Sequence, residues 1–124
     1  MSIVNKIIES AESDVDVLRR LDAVGDNFSL FRKVDFHFKC PDSDKADVVA
    51  GFINDFQFGV AEHVVQDGLH YVDVKITMPV NQNIISCVSG FMVCVAELYK
   101  VEFDGWGCVA TNYIQGVRCS RSMN

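Results

Sequence analysis

Val101-Glu102-Phe103-Asp104-Gly105-Trp106-Gly107 follows directly on a strongly apolar run and holds the chain's single tryptophan between two glycines. Its alternation is that of a strand with two different faces. Val101, Phe103 and Gly105 fall on one face; Glu102, Asp104 and Trp106 fall on the other. Gly105 and Gly107 remove side chains beside the ring, so the indole can lie flat on a sheet or meet another backbone. Two readings of Trp106 stay open. It fills a gap under a terminal segment, or it is an exposed aromatic anchor among carboxylates, the kind of residue that contributes most when desolvated at a protein interface.

Working outward, residues 101–110 form the last predicted strand, and the run before them, 82–99, a helix. That helix is apolar nearly all round (Ile84, Ile85, Val88, Phe91, Met92, Val95, Leu98) and so lies deep in the core, with Asn81 as its cap. Residues 69–78 alternate with Val72, Val74, Ile76 and Met78 inward and Tyr71, Asp73, Lys75 and Thr77 outward. Asp67-Gly68 is a hairpin signal that joins this strand to another at 59–65. Upstream, Pro41-Asp42-Ser43-Asp44 opens a helix whose buried stripe is Val49, Phe52, Ile53 and Phe56. Strand 31–39 precedes it, with Val34, Phe36 and Phe38 inward and Lys33, Asp35, His37 and Lys39 outward. Residues 3–24 read as a helix with Val4, Ile8, Ala11, Val15 and Leu18 on one side, although Ser13 and Asp16 allow a break near residue 12. Residues 111–124 show no periodicity and read as a tail.

The order is helix, then strand–helix–strand–strand–helix–strand. Its last six elements are the split βαβ arrangement of a ferredoxin-like fold. The expected fold class is α+β: a four-stranded antiparallel sheet ordered 4-1-3-2 with two helices on one face. The extra N-terminal helix would sit at a sheet edge or over the open face. The whole chain, 1–124, is expected to be one domain, with its core at 31–110.

Composition narrows the function. At 124 residues, 49% hydrophobic and 23% charged, the chain can bury a proper core without staples. A net charge of −6 argues against nonspecific nucleic-acid or anionic-membrane binding and favours a basic protein as partner. No secretory leader pattern and no apolar stretch of bilayer length is evident. Cys40, Cys87, Cys94, Cys108 and Cys119 are odd in number and irregular in spacing, without Cys-x-x-Cys. They are expected to be free thiols in a reducing cytoplasm rather than metal ligands. No metal or cofactor is expected. The glycines lack the spacing of a phosphate loop, and no nucleophile elbow occurs.

With Ala96, Glu97 and Tyr99 closing the helix before it, the Asp-Gly-Trp-Gly stretch resembles the bacterial regulators of ribonuclease E activity, B type. Asn81, Asp73, Phe58-Gly59 and His37 fall where that family carries corresponding residues, so the likeness spans about residues 17–110. The resemblance implies the same ferredoxin-like fold and a non-enzymatic inhibitor that binds ribonuclease E outside its catalytic half. It also implies a long acidic C-terminal tail, whereas residues 119–124 read Cys-Ser-Arg-Ser-Met-Asn.

The 4-1-3-2 order sets the outward residues of three strands side by side. Asp104, Trp106 and Glu102 come from the fourth strand, Asp35 and His37 from the first, and Tyr71 and Asp73 from the third. Cross-strand neighbours lie about 5 Å apart, so His37 is expected between acids. These seven residues are the expected partner-binding face, with Gly105 and Gly107 shaping it. Carboxylates there would repel phosphate, which argues against direct RNA binding. The alternatives are a self-associating or small-ligand-binding protein, including a homodimer through the open sheet, and a small enzyme using His37 as a base oriented by Asp73 or Asp35.

Overall fold

A computed structural model, which describes residues 2–114 and 117–122 with side chains as far as Asn112, has eight elements in chain order. They are α1 (Ile3–Ala23), β1 (Arg32–Cys40), α2 (Ser43–Asp55), β2 (Val60–Gln66), β3 (Leu69–Met78), α3 (Gln82–Tyr99), β4 (Glu102–Ile114) and β5 (Val117–Ser122). The sheet runs β2-β3-β1-β4-β5. All described pairings are antiparallel, so the first four strands have the predicted 4-1-3-2 order of the ferredoxin-like fold.

The core lies on one face of the sheet. Val34, Phe36 and Phe38 of β1 and Val72 and Val74 of β3 are fully buried against Val49 and Ile53 of α2 and Ile85 and Met92 of α3. Local chemistry places these elements as expected. The Asp42 carboxylate accepts from the Lys45 amide at 2.8 Å and caps α2. Asp67 and Gly68, at φ 53° and 75°, make the tight β2–β3 turn, whose strand twist needs two left-handed residues.

Several expectations are corrected. The segment read as a tail is not one: β4 continues to Ile114, and Val117–Ser122 pairs back on it as β5. The first helix runs unbroken as the reading of 3–24 has it, but its buried side is Asp14, Leu18 and Leu21, while Val4 and Ile8 are exposed. On α2 the stripe is Ala46, Val49, Ala50 and Ile53, leaving Phe56 exposed. Asn81 occupies the cap position of α3 without a capping bond, its amide turning to Ser29 Oγ at 3.3 Å.

By length and composition α3 is apolar enough to cross a membrane, contrary to the sequence reading; here it packs between α1 and the sheet. The N-terminal helix therefore covers α3, not the open face of the sheet. Two further ties shape the periphery. Arg32 makes a two-pronged ion pair with Asp26 at 2.9 and 3.2 Å, both side chains buried, and Asp26 also accepts from the Thr111 amide at 2.5 Å. At the sheet's β2 edge, the Asn54 side chain of α2 accepts from the Ala61 amide at 2.8 Å and donates to the Ala61 carbonyl at 2.9 Å.

Candidate functional site

β1, β3 and β2 bring the outward residues into register. His37 stands opposite Asp73, and its Nδ1 lies 2.8 Å from Asp73 Oδ1, so an acid is bonded to it on the β3 side. Asp35 stands opposite Lys75, which donates to it at 2.7 Å. That bond is the main reason the Lys75 ammonium titrates above its ordinary value. Lys39 lies between Tyr71 on β3 and Glu102 on β4. The face also includes Glu62, opposite Asp73 on β2, a residue the sequence reading passed over. Among the described residues no ion pair reaches Glu62, Glu102 or Asp104.

Trp106 is not in this row. Between Phe36 and Phe38 the β1–β4 register shifts: Phe38 faces Phe103 while Phe36 faces Trp106, so Asp104 and Gly105 together oppose His37. This is a β-bulge, and Gly105 takes the positive φ, +88°, that favours glycine. One extra residue changes the parity of everything after it. Asp104 stays exposed, but Trp106 comes onto the face of Phe36 and packs against the core. The covered reading of Trp106 therefore holds, and the covering element is α1.

The indole Nε1 donates to Asp14 Oδ1 at 2.7 Å. Asp14 Oδ2 accepts from Ser86 Oγ at 3.3 Å and, in a short bond, from Ser89 Oγ on α3. Burial pushes the Asp14 carboxyl above its usual range, and the donations from Ser89, Trp106 and Ser86 pull it partly back. One carboxylate thus joins α1, α3 and β4. Sequence reasoning missed it, though Asp14 shares a helical stripe with Leu18 and Leu21 at steps of four and seven.

Beside this node α1, the end of α3 and the start of β4 line a half-open cavity of about 600 Å³. Its apolar lining includes Val17, Val93, Val101, Phe103 and Trp106; Glu9, Glu97 and Glu102 also line it. Lys6 bridges to Glu97 at 2.6 Å, which holds the Glu97 carboxyl below its usual range. His37 does not line the cavity.

The remaining polar groups form small structural sets. His63 Nδ1 lies 2.8 Å from Asp47 Oδ1, and His63 Nε2 lies 2.9 Å from His70 Nδ1, so both are partnered rather than free surface histidines. Cys40, Cys87, Cys94 and Cys108 are free thiols. Among the described residues no group of three or more His, Cys, Asp or Glu side chains is placed to hold a metal ion.

Comparison with curated proteins finds no match. The family described as regulator of ribonuclease activity B matches residues 11–108, from the Asp14 helix through the bulged strand to Cys108. With its split βαβ core and Asp-Gly-Trp-Gly strand, this chain belongs to the family of regulators of ribonuclease activity, B type.

Proposed function

We propose that this protein regulates a ribonuclease without catalysing a reaction itself, by binding a basic protein partner across the open face of its sheet in the cytoplasm. Ribonuclease E is the partner that the family resemblance suggests. The observation that carries the reading is the sheet face away from the three helices, with Asp35, Glu62, Asp73, Glu102 and Asp104 on it, in a chain of a ribonuclease-regulating family. Lys75 offsets Asp35, His37 is bonded to Asp73, and Lys33 and Lys39 share the face, so five acids stand against three lysines. The acids beyond them give the face its attraction for a cationic surface and steer encounter with it.

Trp106 plays a different part from the anchor expected of it: it fixes the strand from behind, while Tyr71 is an aromatic group on the face itself. The His37–Asp73 pair has the geometry of a base and its orienting acid, but it lies on an open sheet and not in the cavity, which does not favour water-excluded chemistry.

The test is surface-immobilised ribonuclease E titrated with the protein and with the triple variant Glu62→Gln, Glu102→Gln, Asp104→Asn. The variant is expected to associate about tenfold more slowly and to lose most of the salt dependence of the wild type. Equal association rates at low salt would overturn the face assignment. Wild-type binding that needs RNA, or that appears only between copies of this chain in sedimentation, would overturn the partner.

A further inference from the structure

The cavity under α1 is built differently from the open face and lies on the other side of the sheet. Its floor is hydrocarbon and aromatic: Val93, Val101, Phe103 and the indole of Trp106. Its polar lining includes Ser10, Ser13 and the carboxylates of Glu9 and Glu97 against one cation, Lys6; Glu102 borders it from the start of β4, at an open-face position of the register. Asp14 adds a buried carboxylate at the inner end, but its oxygens are already engaged by Trp106, Ser86 and Ser89. Recognition therefore falls to Glu9 and Glu97, since Glu102 stands beside Lys39 on the open face. The volume of about 600 Å³ lies within the roughly 300–1,000 Å³ usual for small-molecule sites.

We propose that this cavity binds an organic cation carried on an apolar stem: a guanidinium or ammonium group on a methylene chain, from an arginine or lysine side chain of a protein or from a free aliphatic amine. The parts are matched to those of the ligand. A methylene stem buries hydrocarbon on the valine and phenylalanine floor. A cation beside Trp106 and Phe103 gains from the negative faces of the rings. Its charge meets carboxylates that would repel an anion and that a neutral ligand would desolvate without compensation. The protein displays this chemistry with its own side chain, because the Lys6 ammonium is drawn to Glu97 across the α1–α3 junction. Lys6 is thereby a resident competitor, and an incoming cation must displace or share its carboxylate. This site does not depend on the open-face reading of function.

Trp106 is the only tryptophan and forms part of the wall, so the full chain reports its own occupancy by fluorescence. The probes are n-butylguanidinium, its neutral isostere n-butylurea, spermidine, and a short peptide alternating leucine with arginine. The cations are expected to give saturable changes in emission, with butylurea weaker by about tenfold or more. Glu97→Gln is expected to weaken the cations about fivefold, and Lys6→Ala to strengthen them by a similar factor. Circular dichroism melts establish that both variants are folded.

The open-face triple variant used to test ribonuclease binding alters Glu102 as well. A Glu62→Gln, Asp104→Asn double variant, which spares the cavity, should therefore titrate like wild type while still losing association with the nuclease. A peptide much tighter than spermidine identifies a protein side chain as the source, and the reverse identifies a free amine. Binding of butylurea equal to that of butylguanidinium, no saturable change with any cation, or indifference to both Glu97→Gln and Lys6→Ala would overturn the proposal.

Discussion

Replacing Trp106 by phenylalanine removes one donor from one carboxylate, and the structure indicates how much that should cost. The lost bond runs at 2.7 Å to Asp14, whose residue is 1% exposed. A hydrogen bond to a charged group contributes about 1.5–3 kcal/mol to stability. Phenylalanine also buries less ring, roughly 30 Å² or about 0.8 kcal/mol. Trp106→Phe is therefore expected to cost about 2–4 kcal/mol. Asp14→Asn offers a second arm, since its amide oxygen can still accept from the indole while its nitrogen donates to the serines. Alone it should cost under about 1 kcal/mol, and in its background Trp106→Phe should cost about 1–2 kcal/mol, because a neutral bond is weaker than a charged one. Urea unfolding followed by far-ultraviolet circular dichroism measures all four proteins, the fluorophore being absent from two of them. If Trp106→Phe costs the same in both backgrounds, or under about 0.5 kcal/mol in either, Trp106 is not joined to Asp14 and the bulge argument fails.

Gly105→Ala should cost about 1–3 kcal/mol in the same assay, entirely through backbone strain, since a β-carbon there meets nothing within 4 Å but φ is +88°. An unchanged midpoint would mean that the bulge does not need a left-handed residue. The raised pKa of Asp14 sets a pH dependence. Its folded value lies above the unfolded value, so its contribution is fully present below the ordinary value of 3.8 and is lost as pH rises through the folded value. Asp14→Asn should accordingly gain on wild type as pH rises through that window, and a melting-temperature difference constant from acid to neutral pH would refute the assignment. The Lys6–Glu97 pair runs the other way, its contribution lost as pH falls through the lowered Glu97 value.

The elements that could be read in advance are those whose side chains alternate or recur against a buried face. β1 and β3 show their inward valines and phenylalanines in the sequence, and the strand order brings an acid beside His37, which the register identifies as Asp73. β5 could not be read this way. Arg118, Ser120 and Ser122 carry no apolar rhythm, and its place is set by backbone pairing with β4. The reversal at Trp106 did leave a trace. The inward residues pass from odd numbers, Val101 and Phe103, to even ones, Trp106, Cys108 and Ala110, across Asp104-Gly105. A glycine inside a strand pattern is a recognised sign of such a bulge. Asp14 escaped because charge was taken as a mark of solvent, whereas its position on the helix, one turn before Leu18, pointed inward. The buried Arg32–Asp26 pair was hidden in the same way.

The clasp of Asn54 on Ala61 bears on how the molecule survives in company. An exposed sheet border offers its bare amides and carbonyls to any extended chain that drifts past, its own copies included. At Ala61 both groups are already taken, so a stray strand must break two bonds before it makes one. The β2 border is guarded by a side chain from a neighbouring helix instead of by proline or a row of charges. A second copy of the chain that pairs along this border gains nothing at Ala61, whose amide and carbonyl the helix already holds.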